Sequence, residues 1–233
     1  MEDSWLPLFV RVDGLKVAVL GGGRAGSRRA RLFACKGAKV RVYAKDFTAI
    51  REGECSGRIE FSQVDLEDIS KLEDAINWGD IIVIATSNPE VNRLASTIAL
   101  GKGKLVNSAA DYRLGNVIVP FQAETSYGLK IAVTSLGKTG IATRKILEDI
   151  IKIIDNGYYA TLFRVMARIK SWLKDNIKDY NLRYNLYFIL GESPRVLEYI
   201  NRGEEDKAFE EALKMIKEYL SNNPEFLEGG RNP

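Results

Sequence analysis

From Lys16 to about Val106 the chain alternates short apolar runs with longer mixed segments, and after that its character changes. Lys16-Val-Ala-Val-Leu20 is rich in strand formers and runs directly into glycines. Arg24 to Lys36 reads as a helix, closed by Gly37 in the C′ position. Lys39-Val-Arg-Val-Tyr43 alternates as a strand does. Arg58 to Phe61 is a weaker strand, and Leu66 to Trp78 reads as a helix. Asp80-Ile-Ile-Val-Ile-Ala85 is an unbroken apolar run, expected of a parallel strand covered on both faces. Pro89 to Leu100 is helical with proline in the first turn, and Lys104-Leu-Val106 gives a fifth strand. Strands alternating with helices predict right-handed βαβ units and an α/β, Rossmann-like, doubly wound parallel sheet.

Two short strands follow, Asn116 to Pro120 and Leu129 to Val133, and beyond Thr139 everything reads as helix. Ile141 to Ile154 is one helix. In Tyr159 to Lys178 the positions Leu162, Val165, Met166, Ile169, Trp172, Leu173 and Ile177 keep helical spacing. Phe209, Ala212, Leu213, Ile216 and Leu220 repeat it in Glu205 to Leu220. Such stripes are core or dimer packing. Gly229 to Pro233 reads as a frayed tail. The expected layout is a nucleotide-binding domain over 1–112, a small β dimerisation region over 113–156, and an all-helical region over 157–233.

Composition narrows the function. The chain is 45% hydrophobic and 28% charged, an ordinary globular balance. Its 34 basic and 31 acidic residues are interleaved, so the net +3 builds no concentrated basic face and nucleic acid is not an expected partner. The most apolar stretch is far shorter than the ~20 residues of a membrane span. The acidic start without a long apolar core is no signal peptide, so the expected location is the cytoplasm. Cys35 and Cys55 show no paired spacing; two lone thiols, with no disulfide and no zinc site, are the expectation. There is no histidine, so acid–base chemistry falls to carboxylates, Lys, Tyr, Ser or water.

Gly21, Gly23 and Gly26 fit the G-x-G-x-x-G pattern between a strand and a helix, the context that gives it meaning. Gly21 permits the tight turn, Gly23 lets the backbone approach a pyrophosphate, and Gly26 allows close helix–strand packing. Lys45 and Asp46 follow the second strand. Asp46 sits slightly late for the acid that reads a ribose 2′-hydroxyl, and Lys45 would tolerate a 2′-phosphate, so NAD and NADP both stay open at this point. Thr86-Ser87-Asn88 follows the fourth strand, where ligands bind in open α/β sheets, and Ser87 or Asn88 also suits an N-cap. Asp111 lies past the fifth strand, either a turn former or a carboxylate beside the nicotinamide. Gly137-Lys-Thr139 is no P-loop, because that motif's first glycine would fall on Ala132.

These segments together resemble the precorrin-2 dehydrogenase family, including the N-terminal module of sirohaem synthases. The resemblance covers nearly the first 150 residues: Leu6-Pro-Leu-Phe9, Gly21 to Ala30 with Arg28-Arg29, Ala85-Thr86, Asn92, Asn107 to Asp111, Val119-Pro120, Ala132-Val-Thr-Ser135 and Arg144. It implies a homodimer that oxidises precorrin-2 to sirohydrochlorin with NAD on the route to sirohaem. It puts the catalytic aspartate on Asp111, a serine near the substrate on Ser135, and nucleotide contacts on Arg24, Ala25, Lys45, Asp46 and near Thr86. Asn107 belongs with the substrate side, and Arg113 and Lys138 are cations for the substrate's carboxylates. The chain departs from the family at Leu136, often Gly there, and at Gly140, often Pro. Two other readings stand beside this one: a bifunctional dehydrogenase and ferrochelatase, and a Rossmann module that senses nucleotide without chemistry.

Overall fold

The computed structural model describes residues 4–47 and 55–223; the tail expected over Gly229 to Pro233 lies outside them. Five strands form one parallel sheet: β1 (Lys16–Leu20), β2 (Lys39–Ala44), β3 (Ile59–Gln63), β4 (Ile81–Ile84) and β5 (Leu105–Ser108). Their order is β3-β2-β1-β4-β5, so the sequence order reverses between β1 and β4. Register is set in the middle of the sheet, with Val17 opposite Val40 and Ile81, and Val19 opposite Val42 and Val83.

Both faces are covered at the centre of the sheet, which is why β4 is apolar at every position and β1 at every position after Lys16. Helix α1 (Arg24–Ala34) packs Ala30, Phe33 and Ala34 against Val17, Val19, Val40, Val42 and Val83. Helices α2 (Ile69–Trp78) and α3 (Pro89–Gly101) cover the other face, where Leu72, Ile76, Val91 and Ala95 meet Leu20, Ile82, Ile84 and Val106. Asp68 caps α2 by accepting from the Ser70 and Lys71 amides, and Asn88 caps α3 in the same way.

Three expectations need correction. The strand predicted over Asn116–Pro120 lies one step later, as β6 (Phe121–Glu124), paired antiparallel with β7 (Lys130–Val133). Residues 116–119 instead run beside β5, with the Asn116 and Val117 amides both donating to Val106 O. Val119 packs against the core, and Pro120 has no amide to continue a ladder. Gly37 (φ 90°) does close α1, but two residues past the C-cap Cys35. Cys35 and Cys55 form a disulfide, with Cα atoms 5.4 Å apart. Spacing could not reveal it, because α1 and the segment entering β3 become neighbours only once the sheet forms.

The first compact unit runs to Pro120 and takes back Ser135–Thr139; the second comprises Phe121–Thr134 and the chain from Gly140. In the second, α4 (Gly140–Ile154) lies on the β6–β7 pair and buries only Thr143 and Leu147. Helices α5 (Gly157–Asn176), α6 (Tyr180–Gly191), α7 (Pro194–Asn201) and α8 (Glu205–Asn222) enclose a core of Val165, Ile169, Leu173, Leu186, Ile200 and Ile216. Among the described residues no helix is long and apolar enough to cross a membrane.

Candidate active site

The strand reversal opens a crevice at the carboxyl ends of β1 and β4, where α/β sheets bind ligands. Gly21 sits at φ 116°, and a Cβ there would lie 2.4 Å from Ala85 O, so this glycine lets the β1 and β4 loops touch. A Cβ on Gly26 would lie 2.1 Å from Gly21 O, and one on Gly22 2.1 Å from Asp46 O. Gly23, by contrast, faces open space, with nothing within 4 Å. It is the N-cap of α1 and offers no side chain to the first-turn amides, so the Arg24 and Ala25 N–H groups and the positive helix end point outward. That cradle fits a dinucleotide pyrophosphate.

At the end of β2, Lys45 Nζ lies 3.0 Å from Asp65 and 3.8 Å from Glu67. The Asp65 contact raises the Lys45 pKa; the Glu67 amide and then Lys45 lower that of Asp65. A lysine already matched by two carboxylates is a poor receptor for a 2′-phosphate, and Asp46 beside it is exposed. Thr86 Oγ1 donates to Asn92 Oδ1 (2.6 Å) and accepts from the Asn88 amide, so its hydroxyl holds the turn and leaves the backbone to face a ligand.

Past β5 the chain makes one 3₁₀ turn, Tyr112–Leu114, with Asp111 as its N-cap. The Asp111 amide donates to Ser108 Oγ (3.2 Å), and Ser96 of α3 donates to Leu114 O (2.5 Å). Asn116 returns the chain to β5, accepting from the Val106 amide and donating to Lys104 O. Gly115 packs so close that a Cβ would lie 2.4 Å from Val106 O. The Asp111 carboxylate accepts from the Arg113 amide (3.0 Å), from Arg113 Nε (2.9 Å) and from Arg113 Nη2 (2.8 Å). The Arg113 guanidinium, then its amide, hold Asp111 below the usual carboxylate range.

Asn107 is only 3% exposed; its Nδ2 donates to Val117 O (3.0 Å), and its Oδ1 has no partner among the described residues. Ser135 opens the turn that ends at Thr139, with its hydroxyl donating to Thr139 O (2.9 Å) and accepting from the Thr139 amide (3.0 Å). The Tyr112 ring lies against Gly137, where a Cβ would come within 2.8 Å of it, so this turn and the Asp111 turn are in contact. No hydrogen bond joins Asp111 to Ser135 among the described residues, and Lys138 is exposed.

Sequence reasoning missed the residues that hold the Asp111 turn in place. Ser96, Ser108 and Asn116 carry no motif, and only the strand-to-helix register brings them together. It also gave Arg29 no task of its own, although Arg29 donates to Val119 O (3.2 Å) and fastens α1 to the returning segment. Burial, with Arg28 adding to it, lowers the Arg29 pKa to about 10.

Comparison with known proteins gives this geometry a context. A family model described as "Putative NAD(P)-binding" matches residues 8–121. Precorrin-2 dehydrogenase of Methanosarcina barkeri is 29% identical over 228 residues, covering 95% of this chain and 97% of that one. Precorrin-2 dehydrogenase of Priestia megaterium is 31% identical over 153 residues, covering 65% of this chain and 72% of that one. The siroheme synthase of Xylella fastidiosa is 28% identical, and the match covers 44% of its length. Among solved structures, SirC, a precorrin-2 dehydrogenase, superposes with a TM-score of 0.66 at 22% identity, covering 90% of this chain and all of that one, which supports the fold. The chain belongs to the precorrin-2 dehydrogenase family.

Proposed function

We propose that this enzyme oxidises precorrin-2 to sirohydrochlorin with NAD, and that Asp111 takes up the proton the macrocycle releases. The observation that carries this reading is the Asp111 carboxylate, fixed past the carboxyl end of β5 by Ser108 and Ser96, on the sheet whose β1 loop forms the glycine cradle. NAD+, when bound, supplies the hydride acceptor, so the balanced reaction is precorrin-2 + NAD+ → sirohydrochlorin + NADH + H+. The protein's task is to hold the pyrophosphate on the Gly23, Arg24 and Ala25 backbone, present the macrocycle to the crevice and accept the proton. With no histidine in the chain, Asp111 is the base placed to do so. Arg113 and Lys138 are cations for the substrate's carboxylates. Asn107 stands on the substrate side of β5, where its side chain fastens the strand to Val117 O, and Ser135 shapes the neighbouring turn.

Anaerobic NADH formation with precorrin-2 tests the reading, comparing the wild type with Asp111→Asn. Tight NAD binding without turnover in the wild type would favour the nucleotide sensor instead. The proposal stops at oxidation. No histidine is present, and among the described residues no three Cys, Asp or Glu side chains are grouped to hand over a metal. Sirohydrochlorin with Fe²⁺ or Co²⁺ should therefore metallate near the spontaneous rate, and insertion well above it would overturn that half.

The same reading makes the protein a homodimer held through 113–156. In support, α4 leaves Ile141 88% exposed, with Ile146 and Ile153 also uncovered, and two strands are too few for an independent sheet. Light scattering at micromolar concentration should give twice the chain mass. It also places the enzyme in the cytoplasm, where NAD is available, although the Cys35–Cys55 bond is unusual there.

A further inference from the structure

The Asp111–Arg113 pair presents a chemical problem for the reading above. A base must attract a proton, yet the Arg113 fork holds both carboxylate oxygens of Asp111, at 2.9 and 2.8 Å, and its positive charge lowers the basicity of the lone pair that Oδ2 keeps. Held so, the carboxylate is a weak proton acceptor. The two side chains are not equally placed. Asp111 is 33% exposed and carried on a turn stapled at Ser108 and Ser96, whereas the Arg113 side chain is 76% exposed and pairs with no other acid among the described residues. The Arg113 amide holds Oδ1 independently, so the carboxylate would stay in position if the guanidinium left.

We propose that Arg113 is an exchangeable clasp: a carboxylate of the bound tetrapyrrole takes over its guanidinium, and this exchange frees Asp111 to act as the base. The inference rests on the reading of the preceding subsection. Exposed ion pairs in water are weakly held, so swapping one carboxylate partner for another is nearly isoenergetic, and the arginine fork suits either. The device keeps Asp111 ionised and quiet in the free enzyme. A substrate carboxylate then removes its cation and brings negative charge nearby, and both changes strengthen the base.

Among the described residues, the cation that holds Asp111 is Arg113. Ser108 of β5, Ser96 of α3 and Ser135 of the neighbouring turn are uncharged. Glu90 and Arg93 on α3, Lys104 ahead of β5 and Lys138 in the turn carry charge, and the ion pair that Asp111 makes among the described residues is with Arg113.

The test is the pH dependence of turnover in the holoenzyme for the wild type, Arg113→Gln and Arg113→Lys. The acid limb of kcat/KM reports the free enzyme and that of kcat the substrate complex. In the wild type the kcat limb should lie about one pH unit or more above the kcat/KM limb, a tenfold change in proton affinity. In Arg113→Gln the two limbs should coincide at the higher position, with KM for precorrin-2 up about tenfold and the KM for NAD unchanged. Arg113→Lys should fall between them, since it keeps the charge without the fork. Wild-type limbs that coincide, and rise together in Arg113→Gln, would show that the pair stays closed during turnover and overturn the proposal. An unchanged tetrapyrrole KM in Arg113→Gln would overturn it as well.

A second measurement reads the exchange in the wild type and needs no Arg113 variant. The Asp111 carboxyl ¹³C signal, assigned by its loss in Asp111→Asn, should titrate at higher pH when sirohydrochlorin is added to wild-type enzyme with NAD than with NAD alone. No movement would sink the exchange even if Asp111 is essential. Full turnover by Asp111→Asn would instead overturn the reading beneath it and the clasp together.

Discussion

The Gly21–Gly26 loop and the segment from Ser108 to Val117 both follow strands of one parallel sheet, yet they are built by opposite means. The first works by removing side chains. Gly21, Gly22 and Gly26 each leave room for a backbone oxygen that a Cβ would strike, and Gly23 leaves room for a ligand. The second works by adding them. Ser108, Ser96, Asn116 and Arg113 each supply a hydrogen bond that holds the turn or its carboxylate. A cradle for an invariant pyrophosphate has one steric solution and a motif to match. A turn that aims one carboxylate can be held by many polar side chains, and so leaves no fixed pattern.

The comparison predicts that the two loops fail differently, and the largest effect should come from Asp111→Asn. Removing the proposed base should lower kcat about 10²- to 10⁴-fold while NAD affinity stays within about twofold. Single-turnover kinetics beside a nucleotide titration would separate the two. A matching loss of NAD binding would mean that the loops are not independent.

Gly26→Ala attacks the other loop. In an ordinary helix this change gains up to ~1 kcal/mol. Here the new methyl meets Gly21 O at 2.1 Å, and backbone on both sides leaves little room to yield. We expect a net loss of about 2–3 kcal/mol in urea unfolding, together with weakened NAD binding. A neutral or stabilising result would show the cradle to be softer than its contacts suggest.

A smaller effect sharpens the nucleotide side alone. Lys45 is matched by Asp65 and Glu67, so NAD should be preferred over NADP. Converting both acids to amides should improve kcat/KM for NADP about tenfold, and less at high salt, because the interaction is exposed. Equal use of both cofactors by the wild type would contradict this.

The same contrast explains what could be read in advance. The five strands, the order of helices and the glycine cradle were legible because apolar runs and glycines are local signals of burial and tight turns. Asp111 was singled out through family resemblance, not through physics, since a loop aspartate is usually a turn former, and here it caps one. Ser96 and Ser108 were invisible because each is an ordinary small polar residue until α3 and β5 set them against the turn. The Cys35–Cys55 bond was misread because residues 20 apart meet only through the sheet. The strand near Pro120 was misplaced because the apolar residues of 116–119 run beside β5, with Val119 packed on the core, and not in the β6–β7 ladder.

The smallest expected effect concerns the turn beside Asp111. The Lys138 amide donates to Ser135 O (3.1 Å), and the two residues between are left-handed, Leu136 at φ 51° and Gly137 at φ 78°. That is the geometry of a type I′ turn, which favours glycine or asparagine at both central positions. It accounts for the glycine that the family often carries where this chain has Leu136. A leucine in this region costs roughly 1–2 kcal/mol, and glycine gives back about 0.5–1 through its greater freedom in the unfolded chain. Leu136→Gly should therefore stabilise the protein by about 0.5–1 kcal/mol, and Leu136→Asn, which tolerates the same backbone, by somewhat less. Turnover should change less than about twofold, since the Ser135–Thr139 hydrogen bonds need only the backbone shape. Urea unfolding of the three proteins decides it. If both substitutions destabilise, the half-buried leucine side chain contributes more by packing than its backbone loses by strain, and the turn is held from outside rather than by its own geometry.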